Sequence, residues 1–87
     1  MADLLRAMKV VRVIDGEEPS VLLEAKAPGA QGVVRTMRMQ AAVQDNALFT
    51  RMVDELAEGD VVDVDIQRVK GRFSTAILGF SKSAVAA

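Results

Sequence analysis

The sequence predicts one small, mainly β domain, with five strands and a single α-helix between the third and fourth strands. The chain has 87 residues, which is enough for one hydrophobic core and too few for two. Hydrophobic residues make up 51% and charged residues 26%, a composition typical of folded chains. Most segments show two-residue alternation, and only one shows helical spacing. We therefore expect a single domain over residues 1–87, with an ordered core at about 4–82.

The first strand is predicted over residues 4–14, which mix apolar and basic side chains and end in a β-branched run. The alternation slips near Lys9 and Val10. Such a slip indicates a β-bulge or a strand shared between two sheet faces. The segment Asp15–Pro19 follows, and its Gly16 and Pro19 predict a turn.

The second and third strands are predicted over Ser20–Ala27 and Val33–Val43, with a turn at residues 28–32 between them. In both strands apolar side chains occupy one face, and the other face is mainly polar, with Leu22 beside Ser20, Glu24 and Lys26 in the second strand. Arg35 is the exception, because it falls on the apolar face of the third strand. Its guanidinium must therefore extend to solvent or lie at the rim of the sheet.

The helix is predicted after Asp45, where the spacing of apolar residues changes from two to helical. Asp45 is expected to cap its start and Gly59 to end it about three turns later. The apolar stripe comprises Leu48, Phe49, Met52, Val53 and Leu56.

The fourth strand is predicted from the alternation of Val62, Val64 and Ile66 with polar residues. A turn at 69–72 leads to a fifth strand over Phe73–Lys82, in which Ala76, Leu78 and Phe80 share one face. Residues 83–87 are expected to form a frayed tail.

This order of elements is that of the OB-fold, a five-stranded Greek-key barrel. The segment 56–64, Leu-Ala-Glu-Gly-Asp-Val-Val-Asp-Val, is similar to the helix end, Gly-Asp pair and hydrophobic strand of OB-fold proteins, including single-stranded-DNA-binding proteins. The resemblance in element order covers residues 4–82. It implies a binding surface on the second and third strands and the loop between the fourth and fifth.

Several classes of site are excluded by composition. The chain contains no Cys or His, which removes disulfides, the usual zinc and haem ligands, thiol nucleophiles and histidine acid–base catalysis. We therefore expect no enzyme activity, no cofactor and no metal. One alternative is a Mg²⁺ site formed by the carboxylates of Asp60, Asp63 and Asp65, since Mg²⁺ prefers oxygen ligands. The polar outer face of a strand explains these three residues better. With neither a long apolar run nor a signal peptide, the chain is expected to be cytoplasmic and without a membrane partner.

The charges are unevenly distributed along the chain, although the net charge is only −1. Residues 45–65 contain seven acids and one base, whereas residues 66–87 contain four bases and no acid. Cations beside an aromatic ring suit a single-stranded nucleic acid, because charge attracts phosphate and the ring stacks on a base. The predicted nucleic-acid-binding residues are Lys26, Arg35, Arg38, Arg68, Lys70, Arg72 and Phe73.

A second interpretation is a protein-interaction or oligomerisation module, with a homodimer as a plausible state. The first loop, Asp15–Glu18, is acidic, and two of the three phenylalanines fall on packed faces. The basic loop would then be a solvated hairpin tip whose Phe73 packs into the barrel end. The methionines at 8, 37, 39 and 52 would fill the core or form an adaptable partner-binding patch.

Overall fold

The computed structural model describes residues 2–82, so the predicted tail at 83–87 lies outside the described residues. Five strands form one sheet that closes in a ring, and the helix lies between the third and fourth strands, as predicted. A short 3₁₀ turn occupies Ala30–Gly32. The elements are β1 (Ala2–Ile14), β2 (Ser20–Pro28), β3 (Val34–Ala42), α1 (Asn46–Glu55), β4 (Val61–Arg68) and β5 (Thr75–Lys82).

The ring closes in the order β1-β2-β3-β5-β4 because β1 pairs with two neighbouring strands. Its residues 2–9 pair with β4 and its residues 9–14 pair with β2, both antiparallel. β2 and β3 form a long antiparallel hairpin, and β4 pairs with β5. β3 meets β5 in parallel through the single pair Ala42 and Ala76. Beyond Glu24, therefore, β1 no longer lies beside β2, and the hairpin extends past the ring.

A bulge in β1 confirms the irregularity predicted near Lys9 and Val10. Val10 pairs with Leu23, but Arg12 rather than Val11 pairs with Leu22. Val11 is thus an extra residue, and it changes which side chains share a face. Residues opposite each other in an antiparallel pair lie on the same face. Since Leu23 is fully buried, Leu22 and Arg12 point outward.

A second irregularity lies between Leu5 and Met8, where β1 shifts register against β4. Ala7 has a left-handed backbone here, with φ of 55°. Its backbone N–H donates a hydrogen bond to Asp63 Oδ1 over 2.8 Å. This carboxylate takes the place of a strand partner for Ala7.

The core lies inside the ring and beneath α1. Leu23, Val62 and Val64 are fully buried, and α1 covers them with its own apolar side chains. Asp45 caps the helix as predicted, accepting hydrogen bonds from the N–H groups of Ala47 and Leu48. The buried helical side chains are Leu48, Phe49 and Met52.

Two helix predictions are wrong. Val53 is 51% exposed, because it lies about 100° around the helix from the fully buried Met52. The helix ends at Glu55, with Leu56 in extended conformation as its C-cap, rather than just before Gly59. Gly59, with φ of +93°, instead forms the turn before β4, and its N–H donates to the carbonyl oxygen of Val10.

The start and the faces of β5 also differ from the prediction. The strand begins at Thr75, so Phe73 lies in the preceding loop. A register shift between Asp65 and Ile66 leaves Leu78 as an extra residue. Leu78 is consequently 47% exposed, while Phe80 packs partly against the core. Ala76, Leu78 and Phe80 therefore do not form one face.

The apolar face of β3 is buried only at its end. Ala41 is fully buried, whereas Met37, on the same face, is 59% exposed. The first half of β3 lies on the part of the hairpin beyond Glu24, where β1 no longer pairs with β2. Across residues 2–82, no helix is both long enough and apolar enough to cross a membrane.

Candidate nucleic-acid interface

Basic side chains from three adjacent strands meet on the outer face of the sheet, opposite the core. Lys9 of β1 lies opposite Glu24 of β2, and Glu24 lies opposite Arg38 of β3. One row thus crosses all three strands, with a cation at each end and a carboxylate between them. Neighbouring strands are about 4.8 Å apart, so the backbones of Lys9 and Arg38 are separated by roughly 10 Å.

Two further rows extend this surface along the strands. In one, Arg12 lies opposite Leu22, and Leu22 lies opposite Gln40. In the other, Lys26 lies opposite Thr36 on the extended part of the hairpin. All four cations are exposed. We call this surface the outer basic face; its cations are Lys9, Arg12, Lys26 and Arg38.

Glu24 reduces the positive charge of this face at its centre. Its Oε1 lies 3.6 Å from Arg38 Nε, and its side chain is only 14% exposed, compared with 61% for Arg38. A shallow cavity of about 360 Å³ lies beside it, lined also by Lys9 and by Glu58 from the turn after α1. The carboxylate therefore orients Arg38 and competes with any anion that approaches it.

The loop 69–74 carries the second group of predicted residues. It is closed by a hydrogen bond from Val69 N–H to the Ser74 carbonyl oxygen, over 3.0 Å. The Arg72 guanidinium carbon lies 5.6 Å from the centre of the Phe73 ring, within cation–π range. Phe73 is half-buried, and it is not among the described side chains that pack against the core. The loop therefore presents a cation together with a ring.

The strand register places this loop near the end of β3, because β5 begins at Thr75 and Ala76 pairs with Ala42. The acidic turn 15–19 lies at the same end, where the Pro19 carbonyl oxygen accepts a hydrogen bond from Val43 N–H. A polyanion on the outer basic face is thus attracted to one of the two loops and repelled by the other.

The structure divides the predicted site residues into groups. Lys26 and Arg38 lie on the outer basic face. Arg68, at the end of β4, adjoins the loop that contains Lys70, Arg72 and Phe73. Arg35 lies on the opposite face of β3 from Arg38, with its aliphatic carbons beside Gly29. The structure therefore does not join Arg35 to the outer basic face.

Sequence reasoning missed Lys9 and Arg12. Three residues apart, they point to opposite faces in a regular strand, and only the extra residue Val11 brings them to one face. The slip in alternation was the available signal. Glu24 was also missed as a site residue, although it lies between two of the cations.

Two of the three aspartates considered for Mg²⁺ accept hydrogen bonds from the backbone. Asp63 accepts the Ala7 N–H, and Asp60 accepts the Ala57 N–H over 3.0 Å. Asp60 also lies 3.8 Å from Lys82 Nζ. Within the part of the chain that the structure describes, no group of three or more metal-ligating side chains is arranged to hold an ion.

Comparisons with known proteins find no match to this chain, whether against family models, curated proteins or solved structures. The outer basic face and the loop 69–74 are therefore the features from which we infer a function.

Proposed function

We propose that this protein is an OB-fold module that binds single-stranded DNA or RNA. The observation that carries the proposal is the bulge at Val11, which brings Lys9 and Arg12 to the same face as Lys26 and Arg38. Without it, Lys9 and Arg12 would point to opposite faces, and the outer basic face would have one cation fewer.

The topology supports the OB-fold part of the proposal. A first strand shared between two neighbours, a long hairpin of the second and third strands and a short contact between the third and fifth strands suit a partly open Greek-key barrel. In OB-folds the second and third strands and the loop between the fourth and fifth bind oligonucleotides. These are the elements that carry Lys26, Arg38 and the loop 69–74 here.

The chemistry of the two groups supports a single strand as the ligand. The four cations of the outer basic face attract phosphates and release their counterions. Phe73 offers a ring on which a base can stack, an interaction worth about 1–3 kcal/mol. Thr36 lies beside Lys26 and Arg38 on this face, and its hydroxyl can hydrogen-bond to a sugar or a base of either nucleic acid. The Gln40 side chain, by contrast, already donates a hydrogen bond to Ser20 Oγ over 2.9 Å.

Charge reversal tests the assignment of the site. Arg12→Glu should weaken binding of a labelled oligonucleotide and make its salt dependence shallower, by about 0.7 in log–log slope for each phosphate that the protein no longer neutralises. The control of equal charge change is Arg51→Glu on α1, which also removes the ion pair of Arg51 with Glu55, so its stability is measured as well. If both variants reduce affinity equally, only the overall charge matters and the outer basic face is not the site.

The loop is tested separately with Phe73→Leu, which keeps an apolar side chain and removes the aromatic ring. Loss of one stacked base should weaken binding by about tenfold while leaving the salt slope unchanged. An unchanged affinity would remove Phe73 from the interface. Thermal unfolding of each variant, followed by circular dichroism, shows whether the fold is intact.

A further inference from the structure

One edge of β3 is open along most of its length. β2 pairs with every residue from Val34 to Ala42 on one side. On the other side, β5 pairs only with Ala42. Among the residues that the structure describes, Val34–Ala41 thus has no strand partner on this second side. Such an edge presents backbone N–H and C=O groups that can pair with another extended chain.

On the side that faces the core, this part of β3 is apolar. A groove of about 230 Å³ lies beside it, lined mainly by Leu5, Met8, Ala25, Met37 and Met39. Met37 is 59% exposed, and its flexible side chain can adjust to a partner. A strand added to β3 would direct every second side chain to the same side of the sheet as Met37 and Met39, which line this groove.

The opposite face of the edge is basic. It presents Arg38 beside Thr36, with Lys26 behind them on β2. Arg35 adds a further cation near the tip of the hairpin, on the apolar side. β3 itself contains two arginines and no acidic residue. A partner strand therefore needs apolar side chains toward the groove and carboxylates toward Arg38.

The charges of β3 favour an acidic partner over a second copy of this chain. Two β3 strands paired with each other would bring four arginines into one small interface, without a carboxylate from either strand. Like charges across paired strands are destabilising. Glu24, on the neighbouring strand β2, already lies 3.6 Å from Arg38.

We propose that the open edge of β3 binds an extended acidic peptide segment as an added strand, with apolar residues alternating with Asp or Glu. Backbone hydrogen bonds supply affinity, the groove accepts the apolar side chains and Arg38 pairs with a carboxylate. This proposal does not depend on nucleic-acid binding, although Arg38 belongs to both surfaces.

The test uses the full chain and a labelled peptide of about eight residues that alternates glutamate with valine, with blocked ends. Two further peptides carry N-methyl groups on the amides of either the glutamates or the valines. Because only alternate amides of an added strand face β3, the two methylated peptides should differ in affinity by at least about tenfold. Equal affinities for both and for the unmodified peptide would overturn the proposal, since they indicate attraction by charge alone.

Substitutions in the chain locate the peptide. Arg38→Glu should weaken peptide binding by about tenfold, and Met37→Thr by a few-fold, whereas Arg51→Glu on α1 should have no effect. If light scattering gives twice the chain mass and no peptide binds, a second copy occupies the edge and the proposal is wrong. The methylated peptides involve no nucleic acid, so this proposal and the nucleic-acid proposal fail independently.

Discussion

At the scale of single residues, Glu24 opposes the charge of the surface that contains it. Its carboxylate lies in the same row as Lys9 and Arg38, and its side chain is largely shielded from solvent. A phosphate that approaches Arg38 must compete with this carboxylate. Glu24 therefore lowers the affinity of the outer basic face for a polyanion.

Glu24→Gln should increase the affinity for a single-stranded oligonucleotide about threefold to tenfold at low salt, since it removes a competing negative charge and keeps the side-chain shape. Fluorescence anisotropy measures the change. Asp54→Asn on α1 makes the same change of net charge away from the face and is the matched control. A decrease in affinity with Glu24→Gln would mean that orienting Arg38 is the dominant effect of the carboxylate.

Asp63 has a structural role that its position on a polar strand face does not reveal. It holds the backbone of Ala7 where β1 departs from regular pairing. Asp63→Ala should lower the free energy of unfolding by about 1 kcal/mol, because the Ala7 N–H loses a charged acceptor. Urea denaturation measures the loss. Asp65→Ala, on the same strand, should change stability by less than half as much, and a similar loss in both variants would contradict this role.

At the scale of elements, the buried stripe of α1 is narrower than its apolar residues predict. Met52 is fully buried and its neighbour Val53 is 51% exposed. Met52→Ala should destabilise the protein by about 2–5 kcal/mol, whereas Val53→Ala should cost less than about 0.5 kcal/mol. Because the two substituted residues are adjacent in the chain but point in different directions, thermal unfolding of both variants tests the orientation of the helix. Comparable losses would place Val53 in the core.

The regular parts of the elements were predictable, because alternation and capping are local. The positions of β2, β3 and β4, the cap at Asp45 and the presence of a single helix all follow from neighbouring residues. The bulges were harder, since their positions depend on the pairing strand. At Leu78 the sequence gives no sign of the extra residue. A bulge shows in a sequence as a break in the alternation of apolar and polar residues, and Ala76, Ile77 and Leu78 are all apolar.

The candidate site was predictable only in part for the same reason. Lys26, Arg38 and the loop 69–74 could be identified from strand faces and composition. Assigning Lys9 and Arg12 to one face required the position of the extra residue Val11. Only the register between β1 and β2 gives that position. Predicting the exposure of Met37 required knowing where β1 stops pairing with β2, and this depends on how the whole sheet closes into a ring.

At the scale of the whole molecule, acidic and basic regions are separated by the fold. The net charge is −1, yet the outer basic face has four cations, with Glu24 between them and Glu58 at the adjacent cavity. The acidic turn 15–19 lies at the other end of β2 from the hairpin tip. Attraction of a polyanion therefore depends on local charge. It should be strong at low salt and weak when the Debye length falls below about 8 Å.

The most direct test of nucleic-acid binding is a fluorescence anisotropy titration of the unmodified protein against a labelled mixed-sequence single strand of about 20 nucleotides, as DNA and as RNA. It should be repeated over a range of salt concentrations. If the four cations each neutralise one phosphate, binding should be saturable, with a log–log salt slope of about −3. No binding at tens of micromolar protein in low salt would contradict the assignment of the outer basic face as a nucleic-acid interface.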